Sequence, residues 1–160
     1  DRPRLRAVLG GVLSAGVVAL CALSFSFVQR ELYTDEVRFR QESEFAASLV
    51  RGLELTCHDQ MTTAPTVLVG RYVAPLNAAC VRDDVWGRAD LEHDYMHNGD
   101  PAFNTERGLE FIEAATGTAL VVPDEEQRAR AVEASQGMPS FPAEGSIRVV
   151  DGLIVVRLSD

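Results

Sequence analysis

A run of twenty-two residues without a charged side chain, residues 7–28, limits what this chain can fold into more than any other feature. As an α-helix rising about 1.5 Å per residue it would be roughly 33 Å long, which matches a hydrocarbon core of about 30 Å. Buried helices of soluble domains are normally shorter and carry a polar stripe, and signal peptides have a shorter apolar stretch before a small-x-small cleavage site. The run therefore predicts a single transmembrane helix.

The two sides of this run differ in charge. Arg2, Arg4 and Arg6 precede it, whereas twenty-three acidic and twelve basic residues follow Gln29, an excess of eleven negative charges. The positive-inside rule then places the N-terminus in the cytoplasm, so we expect an inner (cytoplasmic) membrane protein with a periplasmic or otherwise extracytoplasmic body. So acidic a body is a poor match for nucleic-acid phosphate, and we expect no nucleic-acid partner.

The distribution of proline and glycine predicts how the rest of the chain is organised. Between Gln29 and Met61 there is no proline and a single glycine, Gly52, which favours a helix that continues out of the membrane. Beyond it, helix and strand signals alternate, which is typical of an α+β domain. The predicted parts are a cytoplasmic basic flank (1–6), a transmembrane helix (7–28), a juxtamembrane helix (29–61) and an extracytoplasmic α+β domain (62–160).

Apolar residues follow one stripe of the juxtamembrane helix. They recur near the two core positions of a heptad, at Val28, Leu32, Phe39, Leu49 and Leu53, with Ala46 in register and with Asp35 and Glu42 as interruptions. Because the acids break the seam, we expect the stripe to seat this helix on its own domain. A dimeric coiled coil is the alternative.

Local signals also predict the elements of the domain. We expect a small mixed sheet, covered on one face by helices and ending in a β-hairpin at the C-terminus. The predicted elements are a strand at 66–69, a helix from Asn104 or Thr105 to Gly117, a strand at 118–122, a helix from Pro123 to Gly137, and strands at 146–150 and 153–158 around Asp151-Gly152.

Two cysteines, Cys57 and Cys80, belong to the predicted extracytoplasmic body. Thiols oxidise in such compartments, so these two are predicted to form a disulfide. The bridge would close a loop of about two dozen residues and stabilise the fold by roughly 3 kcal/mol in the chain-entropy model. Two buried free thiols are the alternative.

Metal-ligand types are densest around His93 and His97, which would share one face of a helix at i and i+4. The third ligand of such a site is unspecified, and a solvated surface explains the same residues, so we expect no resident cofactor. Trp86 is a candidate anchor for a partner interface, with a core position as the alternative.

Small residues in the apolar run offer a face for packing on another membrane helix. They are Gly11, Ala15, Gly16 and Ala19. Small residues allow two helix backbones to approach closely in lipid. The alternative is that this face contacts lipid.

No catalytic motif is present: the sequence has no Gly-x-Ser-x-Gly elbow and no glycine-rich phosphate loop. We therefore predict that the protein is not an enzyme but a single-pass accessory subunit of a larger membrane complex, for instance a respiratory or photosynthetic electron-transfer complex. Its partners would be integral membrane subunits and, through the acidic domain, a basic soluble protein on the outer face.

Two other functions fit parts of the sequence. A membrane helix that leads into a long extracytoplasmic helix and a small mixed sheet resembles, in architecture and in no residue motif, the N-terminal region of many bacterial sensor kinases. That resemblance implies a sensor region truncated before its second membrane span. A membrane-anchored enzyme that binds a metal through His93 and His97 is the third hypothesis.

Overall fold

A computed structural model of the chain describes residues 2–72 and 104–158. In this part of the chain, helices and a small three-stranded sheet form an α+β fold, as predicted. The elements are α1 (Arg2–Cys57), a 3-10 helix (His58–Gln60), β1 (Thr66–Val69), α2 (Asn104–Thr116), α3 (Glu125–Ala134), β2 (Ile147–Val150) and β3 (Leu153–Arg157).

The first helix, α1, is a single unbroken rod of 56 residues. Its segment Leu9–Gln29 is 21 residues long, and none of that segment is buried against the rest of the protein. At about 1.5 Å per residue the segment measures roughly 32 Å, so it is long and apolar enough to cross a membrane. Among the described residues it is the one helix with this property.

The C-terminal part of α1 is embedded in the domain. Ala46, Leu49 and Leu53 are completely buried and pack against residues from α2 and the sheet. The predicted stripe therefore seats this part of the helix on its own domain, and these side chains are not available for a coiled coil. Further toward the apolar segment the same stripe is exposed, with Leu32 at 64% and Phe39 at 48%.

The sheet has the strand order β1-β3-β2. β1 and β3 are parallel, with Thr66 opposite Ile154. β2 and β3 form the predicted antiparallel hairpin. Asp151 and Gly152 in its turn have φ angles of 49° and 76°, as a two-residue type I′ turn requires.

Helices cover both faces of this sheet, whereas the sequence predicted helices on one face. α1 and α2 pack on the face that carries Ile154 and Val156. α3 packs on the other face, where Ala131 lies against Val67 and Val155. The central strand β3 is consequently buried from Leu153 to Val156, and an apolar run without alternation is typical of a strand covered on both sides.

The helix α3 begins at a capping box. Asp124 Oδ1 accepts a hydrogen bond from Gln127 N at 2.7 Å, and Gln127 Oε1 accepts one from Asp124 N at 2.9 Å. The sequence predicted that Pro123 occupies the first helical position. In the structure Pro123 instead lies just before the N-cap residue. The helix ends at Ala134, earlier than predicted, because the backbone turns before the positive-φ residue Gly137.

The strand predicted at residues 118–122 is reduced to one bridge. Val121 pairs with Pro65 in parallel, and Val121 O accepts a hydrogen bond from Thr66 N at 2.9 Å. This contact lies at the beginning of β1. Further along, Thr105 Oγ1 donates to Leu68 O at 3.1 Å, so that hydroxyl binds the sheet and not the end of its own helix.

Replacing Thr66 or Thr105 by valine should change the free energy of unfolding in opposite directions. Both are buried, but the Thr66 hydroxyl has no hydrogen-bond partner in the described structure, whereas that of Thr105 bonds Leu68 O. We expect Thr66→Val to raise the free energy of unfolding by about 1 kcal/mol, since it removes an unsatisfied polar group. Thr105→Val, the matched control, should lower it by about 1 kcal/mol. Urea unfolding of both variants in detergent tests this, and a loss of stability in Thr66→Val would contradict it.

Candidate functional site

Four of the predicted site residues, Cys80, Trp86, His93 and His97, lie outside the described residues. The disulfide, the histidine pair and the tryptophan interface therefore stay predictions. Within residues 2–72 and 104–158, no group of three or more His, Cys, Asp or Glu side chains is arranged to hold a metal ion.

The other cysteine of the predicted pair, Cys57, is buried at the end of α1. Its Sγ donates a hydrogen bond to Leu53 O at 3.2 Å, and it is a free thiol among the described residues. Burial raises the pKa of this thiol above its ordinary value of 9.0, because the thiolate would lose hydration. A buried, protonated thiol is a poor nucleophile, so Cys57 is unsuited to covalent catalysis as it stands.

The small residues of the apolar segment lie on the exposed surface of α1. Gly11, Ala15 and Ala19 follow one another at intervals of four and share a face, and Gly16 lies on its flank. A Cβ atom added at Gly11 or Gly16 would meet no other atom within 4 Å. The backbone is therefore open to a neighbouring helix on this face, and helix packing remains a prediction.

A stalk of α1 separates the apolar segment from the domain. From Gln29 to Glu42, whose side chain is 1% exposed, the rise is about 20 Å. Tyr33 is half-exposed and lies four residues after Gln29, the end of the apolar segment. In membrane proteins, tyrosine is enriched at the membrane–water interface, close to the end of a span. Arg40 and Glu36 form an ion pair of 3.0 Å on the solvated surface of the stalk.

Aromatic rings pack α1 on the domain just beyond the stalk. Phe45 stacks on Tyr72 with ring centroids 3.7 Å apart, and its edge contacts Phe141 at a centroid distance of 5.5 Å. Gly52 lets the helix approach closely here, since an added Cβ would lie 3.0 Å from Ile147 Cδ1 and 3.1 Å from Phe141 Cε2. A rigid junction of this kind fixes the orientation of the domain on α1. This junction was not predicted, because no local signal in a sequence connects aromatic residues so far apart along the chain.

Tyr72 in this junction makes stability depend on alkaline pH. Its burial, together with the nearby carboxylates of Glu42 and Glu44, raises the pKa of its hydroxyl above the ordinary value of 10.0. Above pH 10 the unfolded chain loses this proton first, so the contribution to stability is present at lower pH and is lost as pH rises toward the native pKa. In Tyr72→Phe this loss should be absent. Unfolding free energies of both proteins, measured from pH 8 to about one unit above the ordinary tyrosine pKa of about 10, check it. Parallel curves for the two proteins would contradict it.

Comparisons with known proteins give no relative for this chain: no family model matches it, and neither curated proteins nor solved structures show a significant match.

Proposed function

We propose that the protein is a non-catalytic, single-pass subunit of a larger membrane protein complex. One observation carries the proposal. The exposed apolar segment Leu9–Gln29 and the domain core belong to the same unbroken helix, because α1 continues to Cys57. A bilayer is the solvent that such a segment requires, and a domain seated on the same helix is then held at a fixed distance from the membrane surface.

The charge distribution supports an orientation with the N-terminus in the cytoplasm of a bacterial inner membrane. Arg2, Arg4 and Arg6 flank one end of the span, and the acidic body follows the other. This proposal makes the domain periplasmic. An excess of eleven negative charges beyond Gln29 would attract a basic soluble protein, such as the carrier protein of an electron-transfer complex.

The membrane helix of this subunit would pack on other integral membrane subunits through the face of Gly11, Ala15 and Ala19. Enlarging that face tests the idea. In Ala15→Leu, we expect the partner subunits retained after mild detergent extraction to fall at least about fivefold, since tight helix packing in lipid needs small residues and contributes about 1 kcal/mol. Val17→Leu, on a different face of the same helix, is the control and should retain them.

The outcome of that extraction also tests the function itself. A stable complex with other membrane proteins in the unmodified protein, lost in Ala15→Leu, supports the accessory role. Equal retention in both variants would contradict the proposed packing face. Isolation of the chain alone, under detergent conditions that preserve membrane complexes of the same cells, would contradict the subunit proposal.

A sensor region of a bacterial receptor is the second candidate, and the continuity of α1 favours it. A helix that runs from the membrane into the core without a break transmits a displacement of the domain directly to the bilayer. In that case a homodimer, with no other subunit, is the species expected after mild extraction. Chemical crosslinking in intact membranes before extraction separates the two candidates.

A further inference from the structure

A groove lies between α3 and the turn of the β-hairpin, on the second face of the sheet. Among the described elements, α3 packs on β1 and β3 more closely than on the β2 side of that face. The resulting cavity has a volume of about 380 Å³ and is open to solvent on one side. This volume is at the lower end of the range of about 300–1,000 Å³ that is typical of small-molecule sites.

The groove combines an apolar floor with a charged rim. Its lining residues are Ala134, Val150, Leu153 and Val155 on the floor and Arg130, Glu133 and Asp151 on the rim. The rim charges come from two sides: Arg130 and Glu133 are neighbours on one face of α3, and Asp151 is held in the left-handed conformation of the type I′ turn.

These opposite charges do not neutralise one another. The side chains of Arg130, Glu133 and Asp151 form neither an ion pair nor a hydrogen bond with any residue of the described ranges. One cation and two carboxylates therefore line the same small cavity, and because all three side chains are exposed, a ligand competes for them with water and not with a described protein group. A purely apolar ligand would desolvate them without compensation, and an anion would meet a rim with a net negative charge.

We infer that the groove binds a free α-amino acid with a short apolar side chain. In such a zwitterion one carbon atom separates the carboxylate, which would bind Arg130, from the ammonium, which would bind Glu133 and Asp151. Its side chain would contact the half-buried surfaces of Val150 and Ala134. Charge-assisted hydrogen bonds to both ends select a zwitterion over a ligand with one charge.

Saturation-transfer NMR on the full chain in detergent micelles tests this, with three probes that share one branched carbon chain and differ in their charged groups. They are L-valine, isobutylamine, which lacks the carboxylate, and isovalerate, which lacks the ammonium. We expect valine to bind with a millimolar Kd and each analogue at least about tenfold more weakly. Micelles without protein give the blank.

Variants assign the binding to the groove. Arg130→Gln should weaken valine about tenfold and leave isobutylamine unchanged, whereas Asp151→Asn should weaken both by roughly that factor. Asparagine tolerates the backbone conformation of position 151, so the turn is preserved, which circular dichroism checks. Glu113→Gln, an exposed change on α2, is the control and should bind like the unmodified protein.

Three results would each overturn the inference. The first is that no saturation transfer to valine occurs up to about 10 mM, which is ten times a millimolar Kd. The second is that isovalerate binds as tightly as valine. The third is that Arg130→Gln binds valine as tightly as the unmodified protein does. None of these results bears on the membrane subunit proposal, because the groove is formed entirely by the domain.

Discussion

Leu53→Ala is expected to lower the free energy of unfolding of the domain by about 3 kcal/mol, because it opens a cavity in a core that cannot fully collapse. Leu53 is completely buried where α1 packs on the sheet and α2. A loss of this size is a large part of the stability of a small domain. Urea unfolding in detergent, followed by near-UV circular dichroism, measures the domain while the apolar segment stays in the micelle.

Leu55 provides a matched control two residues further along the same helix. Its side chain is 81% exposed, so Leu55→Ala should change the unfolding free energy by no more than about 0.5 kcal/mol. Both substitutions exchange the same residue types in the same helix, and helix propensity therefore cancels between them. Equal effects of the two substitutions would show that this part of α1 does not seat in the domain.

Elements set by neighbouring residues are the ones that the sequence predicted well. The hairpin around Asp151-Gly152 formed because its turn residues favour positive φ, and strand β1 has the predicted bounds. The capping box of Asp124 and Gln127 is equally local, since its residues are three apart, although the helix start was predicted at Pro123 and the box itself was not predicted. Such signals are local, so one sequence is enough to recognise them.

Elements that depend on distant partners were predicted less well. The β-branched run at residues 118–122 has strand propensity, yet only Val121 finds a partner at the beginning of β1. The packing of α3 on the second face of the sheet is likewise a long-range contact. The run Leu153–Val156 did carry a signal for it, since four consecutive buried apolar residues cannot all face one side of a strand.

Glu42 shows a different limit of periodicity. As an acid it interrupts the heptad pattern of apolar residues, so the pattern alone does not predict that Glu42 is buried. In the structure its side chain is only 1% exposed. Its charge acts on the domain, because it contributes to the raised pKa of Tyr72. An apolar stripe marks which face of a helix is buried, and a single charged residue within it does not break that face.

The groove could not be predicted from the sequence, because it depends on long-range contacts. Arg130 and Asp151 are far apart in the chain and meet at one cavity only because α3 crosses the sheet beside the hairpin. By contrast, the helix that is long and apolar enough to cross a membrane was predicted from composition alone, since a long uncharged run needs no distant partner to be recognised.

Placing two arginines inside the apolar segment is expected to have the largest effect of any change considered. In the double variant Leu13→Arg and Leu20→Arg, the arginine at position 20 lies at the centre of the segment and costs about 3 kcal/mol relative to leucine. The arginine at position 13, about 9 Å from the centre, adds a smaller cost. Both side chains are more than 60% exposed on the protein, so in water the change costs little. We expect this variant to move from the carbonate-resistant membrane fraction to the soluble fraction.

The control places the same two charges at the ends of the segment. In Leu9→Arg and Val28→Arg, the long side chains reach the interface and keep their charges hydrated, so this variant should stay in the membrane. The domain itself is unchanged in both double variants, which the unfolding midpoint verifies. Equal extraction of the two would mean that the cost does not depend on depth, and Leu9–Gln29 would then not be the segment that lies in lipid.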